Sequence, residues 1–168
     1  MRRIINMVLC MVAALLALSC GGSGDSGGEP VKIGSRLPGF SIKSLDGATV
    51  TNSSLEGSAS IVNFWATWCA PCQKEIPDLN EVAAKSGAKV LGIALDEDGA
   101  KTVRPFVERH AISYTVALGS QELFQRFNGL GIPYTLVLDR SLRVINIYRG
   151  PATRESLEQD LKKIAAGA

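Results

Sequence analysis

Cys69 and Cys72 are separated by two residues, with Trp68 in front of the pair and Ala70-Pro71 inside it. The apolar run Ile61-Val62-Asn63-Phe64-Trp65 precedes them, and Gln73–Lys85 reads as an amphipathic helix. A strand that delivers a Cys-X-X-Cys pair to the start of a helix is suited to thiol–disulfide exchange. The attacking species in that chemistry is a thiolate, and a free cysteine with a pKa of about 8.5 is mostly thiol at neutral pH. The first helical turn offers unpaired N–H groups and the positive end of the macrodipole, so Cys69 should ionise more easily there. Cys72, one turn on, is placed to close a disulfide with Cys69 or to attack a mixed disulfide formed on it. Pro71 suits a helix start, where a missing N–H costs no hydrogen bond.

Two other uses of such a pair need partners. A zinc site needs two further Cys or His ligands. The remaining cysteines, Cys10 and Cys20, lie in or beside an N-terminal apolar segment, and His110 is the only histidine. Haem attachment needs a histidine directly after the second cysteine, where Gln73 stands. A plain structural disulfide is the third alternative. No metal and no cofactor beyond a redox-active Cys69–Cys72 disulfide is expected.

The first 19 residues read as a secretory leader. Arg2 and Arg3 supply a positive start, and Ile4 to Leu18 is apolar except for Asn6. That run of about 15 residues is short for a spanning helix, which needs roughly 20. Ala17-Leu18-Ser19-Cys20 resembles a bacterial lipoprotein cleavage site, which makes Cys20 the expected point of lipid attachment and the first mature residue. Ordinary cleavage and an uncleaved anchor are the alternatives. Residues 20–30 form a tether, because Gly and Ser at the density of Gly21 to Glu29 behave as random coil. Residues 31–168 make one domain of ordinary size.

The chain carries 18 basic and 16 acidic residues; beyond Arg2 and Arg3 the balance is 16 to 16. No basic run occurs in the folded part, so nucleic-acid binding has no support. With Cys10 and Cys20 set aside, only the Cys69/Cys72 pair remains, and no other structural disulfide can form.

The elements that must position the pair follow from hydrophobic period and turn chemistry. Phe40–Lys43 and Ala48–Val50 flank Asp46-Gly47, a hairpin signal. Ser60–Trp65 and Lys89–Leu95 read as buried strands joined by the Cys72-bearing helix, a βαβ unit with parallel strands. That helix should bury Ile76, Leu79, Val82 and Ala83, kink at Pro77 and end at Gly87. A second helix turns Val103, Phe106 and Val107 inward, with His110 at the edge of the core or on the surface. Tyr114–Leu118 reads as a strand and Gln121–Phe127 as a short helix. Tyr134–Leu138 and Arg143–Tyr148 form a hairpin around Asp139-Arg140-Ser141. A last helix, capped by Thr153, should bury Leu157, Leu161, Ile164 and Ala165. The order predicts an α/β fold, a central mixed sheet with helices on both faces.

From Gly34 to Ile164 the chain resembles the thioredoxin fold, and within it the TlpA/ResA/CcmG group of membrane-tethered bacterial thiol–disulfide oxidoreductases. The resemblance rests on Val62 through Cys72, on Glu75-Ile76-Pro77 and on Gly131-Ile132-Pro133-Tyr134-Thr135. It implies a cis peptide at Ile132–Pro133, packed against the disulfide, with a plain trans turn as the alternative. It also implies that the loop before Pro133 pairs with an extended client segment, Ile132 carrying the contact. Trp68, Ala70 and Pro71 would share that docking surface, and Trp65 would be core. Asn63 stands where thioredoxins carry a buried aspartate. Glu75 matches a glutamate that ResA-like proteins use near their thiols, where it could tune a pKa or move a proton; a solvated helix carboxylate is the alternative.

The resemblance implies an extracytoplasmic enzyme that reduces protein disulfides, apocytochrome c among the clients, and that is itself re-reduced by a membrane reductase of the CcdA/DsbD type. A disulfide-donating oxidant, a peroxiredoxin-like peroxidase and a non-enzymatic client-binding or metallochaperone module are the competing readings. Peroxiredoxins place a threonine three residues before the reactive cysteine, whereas Thr67 lies two before Cys69. Copper-handling relatives use wider cysteine spacing and a histidine.

Overall fold

The strand before the cysteine pair, β3 (Ser60–Trp65), is buried along its whole length. Burial on both faces is what its continuous apolar run requires. In a computed structural model that describes residues 30–167, β3 lies inside a seven-stranded mixed sheet. Its neighbours are β4 (Lys89–Ala94), parallel, and β6 (Tyr134–Leu138), antiparallel. β5 (Thr115–Leu118) continues the sheet parallel to β4, and β7 (Val144–Arg149) closes the other side antiparallel to β6.

The N-terminal hairpin, β1 (Ser41–Ser44) and β2 (Thr49–Thr51), is not an appendage. β1 pairs antiparallel with β5, so the strand order is β2-β1-β5-β4-β3-β6-β7. Gly47 turns the hairpin with φ +85°, a region that costs glycine nothing.

Alternation along β3 divides the core in two. Ile61 and Trp65 face one layer, with α2 (Ala70–Lys85), α3 (Ala100–Arg109) and α5 (Arg154–Ala165). Val62 and Phe64 face the other, with α4 (Gln121–Arg126) and an aromatic group of Phe124, Phe127 and Tyr134. Helix α1 (Asn52–Leu55), which no period in the sequence announces, is held by the Asn52 side chain. Its amide accepts from Phe40 N and donates to the Leu37 and Pro38 carbonyls.

Helix α2 begins one turn earlier than its amphipathic period suggests and runs through Pro77 to Lys85. Ile76, Leu79 and Val82 are buried and Ala83 is half-buried. In α5 the inward stripe is Leu157, Asp160, Leu161 and Ile164. Ala165, expected to point inward, is exposed, because the stripe at i, i+3, i+4 and i+7 leaves it on the flank. Asp160 is tolerated inside because its carboxylate accepts from Asn146, Tyr148 and Lys163. His110 is exposed and stacks on Phe106 at 3.8 Å. The lipid-attachment and leader expectations, Cys20 included, fall outside the described residues. Among those described, no helix is long and apolar enough to cross a membrane.

Candidate active site

Cys69 is the N-cap of α2, and Pro71 sits in its first turn. The Cys72 N–H donates to Cys69 Sγ at 3.3 Å, so one of the helix's four orphan donors is aimed at this sulfur. A thiolate at Cys69 would meet that donor and the positive helix end together, and both favour the ionised form. The two cysteines are joined in a disulfide. Both cysteines are buried, Cys72 at 1% and Cys69 at 5% exposed, which leaves Cys69 as the more accessible residue of the pair. Trp68, Ala70 and Pro71 around it are exposed, Trp68 by 71%. Trp65 is core, at 1%.

The approach to Cys69 is pinned through Thr67. Both carboxylate oxygens of Asp96 accept from Thr67 N, at 3.1 and 3.2 Å, and Oδ1 also accepts from Thr67 Oγ1 at 2.5 Å. The Gln73 side chain donates to the Thr67 carbonyl at 2.7 Å. Sequence reading missed Asp96. The usable signal was the parallel pairing of β3 with β4: Trp65 faces Ala94, so two residues on, Asp96 falls beside Thr67.

Beneath the pair lies a buried polar group. The register of β3 against β6 sets Asn63 beside Thr135, and the Asn63 amide donates to Thr135 Oγ1 at 2.9 Å and to Glu75 Oε1 at 2.5 Å. Glu75 Oε2 accepts from Ala152 N at 3.1 Å. At 3% exposed, Glu75 is not a solvated helix carboxylate. Burial pushes its pKa from 4.5 up to about 7, against the lowering effect of the Ala152 and Asn63 hydrogen bonds. A carboxyl that titrates near neutrality, one helical turn beyond Cys72, can take or return a proton under physiological conditions.

The Ile132–Pro133 peptide is cis, as the resemblance implies. Pro133 is buried and its carbonyl accepts from Gly150 N at 2.9 Å. Ile132 is half-buried and touches both core layers. It lines a groove of about 930 Å³ together with Thr67, Trp68 and the loop after β4. Among the described residues, no group of three His, Cys, Asp or Glu side chains could hold a metal ion.

Known proteins place this site in context. A family model described as the AhpC/TSA family matches residues 33–155. A thiol-disulfide oxidoreductase ResA of Bacillus cereus is 32% identical over 169 residues, covering 95% of this chain and 97% of that protein. A crystal structure of a thiol:disulfide interchange protein, a thioredoxin family protein of Chlorobium tepidum, is 34% identical with a TM-score of 0.69, covering 80% of this chain and 98% of that one. A secreted Mycobacterium tuberculosis disulfide oxidoreductase homologous to E. coli DsbE is 25% identical with a TM-score of 0.63, covering 76% of this chain and 95% of that one. The CXXC disulfide at a helix start, the cis-proline loop whose Ile132 shares a groove with Trp68, and these relatives agree: the chain belongs to the AhpC/TSA family, in the TlpA/ResA/CcmG-like group of thioredoxin-fold thiol–disulfide oxidoreductases.

Proposed function

We propose that this oxidoreductase works outside the cytoplasm as a reductant of protein disulfides, with Cys69 attacking and Cys72 resolving. The aim of the Cys72 N–H at Cys69 Sγ carries the assignment of roles, because it favours a thiolate on Cys69, the less buried residue of the pair. The Cys69 thiolate attacks one sulfur of a client disulfide and expels the other as a thiolate. Cys72 loses its proton, for which Glu75 is the acceptor, and attacks Cys69 Sγ. The second client sulfur leaves as a thiolate. The client disulfide has then gained two electrons, and the Cys69–Cys72 disulfide holds the oxidised state.

Return to the dithiol needs a two-electron thiol donor, and a membrane reductase of the CcdA/DsbD type fits a membrane-tethered chain. Residues 1–19 act as leader, Cys20 carries the lipid, residues 20–30 are the tether and 31–168 the catalytic domain. The secreted M. tuberculosis relative supports the extracytoplasmic setting. Client apocytochrome c, whose thiols must be reduced before haem attachment, suits the resemblance to ResA. Trp68, Ala70, Pro71 and Ile132 form the docking surface, and the buried cis Pro133 sets the turn that presents Ile132.

Cys72→Ser tests the mechanism. The variant should accumulate clients as mixed disulfides on Cys69, visible as thiol-sensitive adducts in cells. No adducts, or adducts that persist in the Cys69→Ser/Cys72→Ser double variant, would contradict it.

A further inference from the structure

The groove beside the disulfide has two kinds of wall. Trp68 and Leu130 are 71% and 85% exposed, and they are two of only three large apolar side chains so exposed among the described residues. Single exposed apolar residues are ordinary on a protein surface, but two on one groove next to a reactive disulfide form a contact site. Ile132 adds to this apolar side. The loop after β4 supplies the other wall through Asp96, Glu97 and Asp98, and no lysine or arginine lines the groove.

The three carboxylates are not equivalent. Asp96 is buried and spent on Thr67. Glu97 and Asp98 are exposed, and among the described residues neither forms an ion pair; Asp98 only accepts from Thr102 Oγ1 at 3.5 Å. Elsewhere Glu56, Glu81, Glu155, Glu158 and Asp160 are matched to an arginine or lysine, while Asp46, Glu108 and Glu122 form no ion pair among the described residues. What sets Glu97 and Asp98 apart is that they are adjacent and line a groove that holds no cationic side chain. An anionic wall in a groove lined by no lysine or arginine selects a cationic partner.

We infer that the groove receives an extended, cationic client segment. An apolar residue next to the client cysteine rests against Trp68, Leu130 and Ile132, and lysine or arginine further along faces Glu97 and Asp98. This rests on the oxidoreductase reading above and adds the client's chemistry to it.

The test uses the full chain, reduced and freed of reductant, with three disulfide-closed peptides of equal length. They share one apolar residue beside the cysteine and differ in two flanking residues: lysine, glutamine or glutamate. Each exchange rate is divided by the rate of the same peptide with dithiothreitol, which removes the effect of the charges on the peptide's own reactivity. The lysine peptide should react about tenfold faster than the glutamate peptide at low salt. The ratio should shrink to about twofold at 1 M salt, where screening acts over about 3 Å. Glu97→Gln/Asp98→Asn should lose the low-salt ratio. Equal normalised rates for the three peptides, or a ratio that survives in the double variant, would overturn the inference while leaving the oxidoreductase reading intact. No exchange with any peptide would overturn both.

Discussion

Glu75 is where a single buried carboxyl makes stability depend on a proton, the same proton that the proposed mechanism draws on. Its carboxyl titrates at about 7 in the fold against an ordinary 4.5. A raised carboxyl binds its proton more tightly folded than unfolded, so its contribution to stability is full below about pH 4.5. That contribution is lost as pH rises through about 7, and amounts to something on the order of 3 kcal/mol. Glu75→Gln, a neutral isostere, should flatten the fall in stability between pH 4.5 and 7. The check is denaturant unfolding of the oxidised protein across that range. The slope is the readout, because the amide introduced by the substitution can meet the Ala152 N–H with a second donor and so shift the absolute value. A variant with the slope of the parent protein would show that Glu75 does not hold the proton. Asp96 acts at the same scale but through another residue. It fixes Thr67, and with it the peptide that leads into Trp68 and Cys69.

At the scale of elements, strand register builds the site. Asn63 meets Thr135 because β3 and β6 pair in that register, and the side chain of Glu75 reaches them from α2. Close approach also fixes Gly92, in the middle of β4. A Cβ there would lie 2.9 Å from both Trp65 Nε1 and Tyr114 Cε2. Both rings are buried, so Gly92→Ala should cost about 1–3 kcal/mol in unfolding experiments, as other overpacked cores do. Unchanged stability would mean that this layer yields more easily than its packing indicates. The cysteine pair, its strand and its helix were legible in the sequence because their signals are local: a five-residue, mostly apolar run, a cap and a helical period. The cis-proline loop was legible only through resemblance. Asp96 and the burial of Glu75 were not legible. A carboxylate on a helix looks the same in sequence whether solvated or buried, and Asp96 acquires its role only when β4 lies parallel to β3. Helix α1 depends on the contacts of Asn52 with residues 12 to 15 positions away, which no short-range period encodes.

On the scale of the whole molecule, the proposed arrangement is a redox domain on a lipid-anchored tether. The near-balance of charge leaves no general electrostatic attraction to acidic surfaces, so the proposed membrane attachment rests on lipid at Cys20 and not on surface charge. Cys20→Ala should move the protein from the membrane to the soluble fraction; full membrane retention would refute the lipid anchor. The central claim is that the Cys69–Cys72 pair gives electrons to clients, and the reduction potential of the full chain, equilibrated in defined thiol buffers, tests it most directly. The account predicts about −250 mV or lower, in the range of thioredoxin-like reductants. A potential near about −120 mV, that of a strong disulfide donor, would contradict it and make the chain an oxidant.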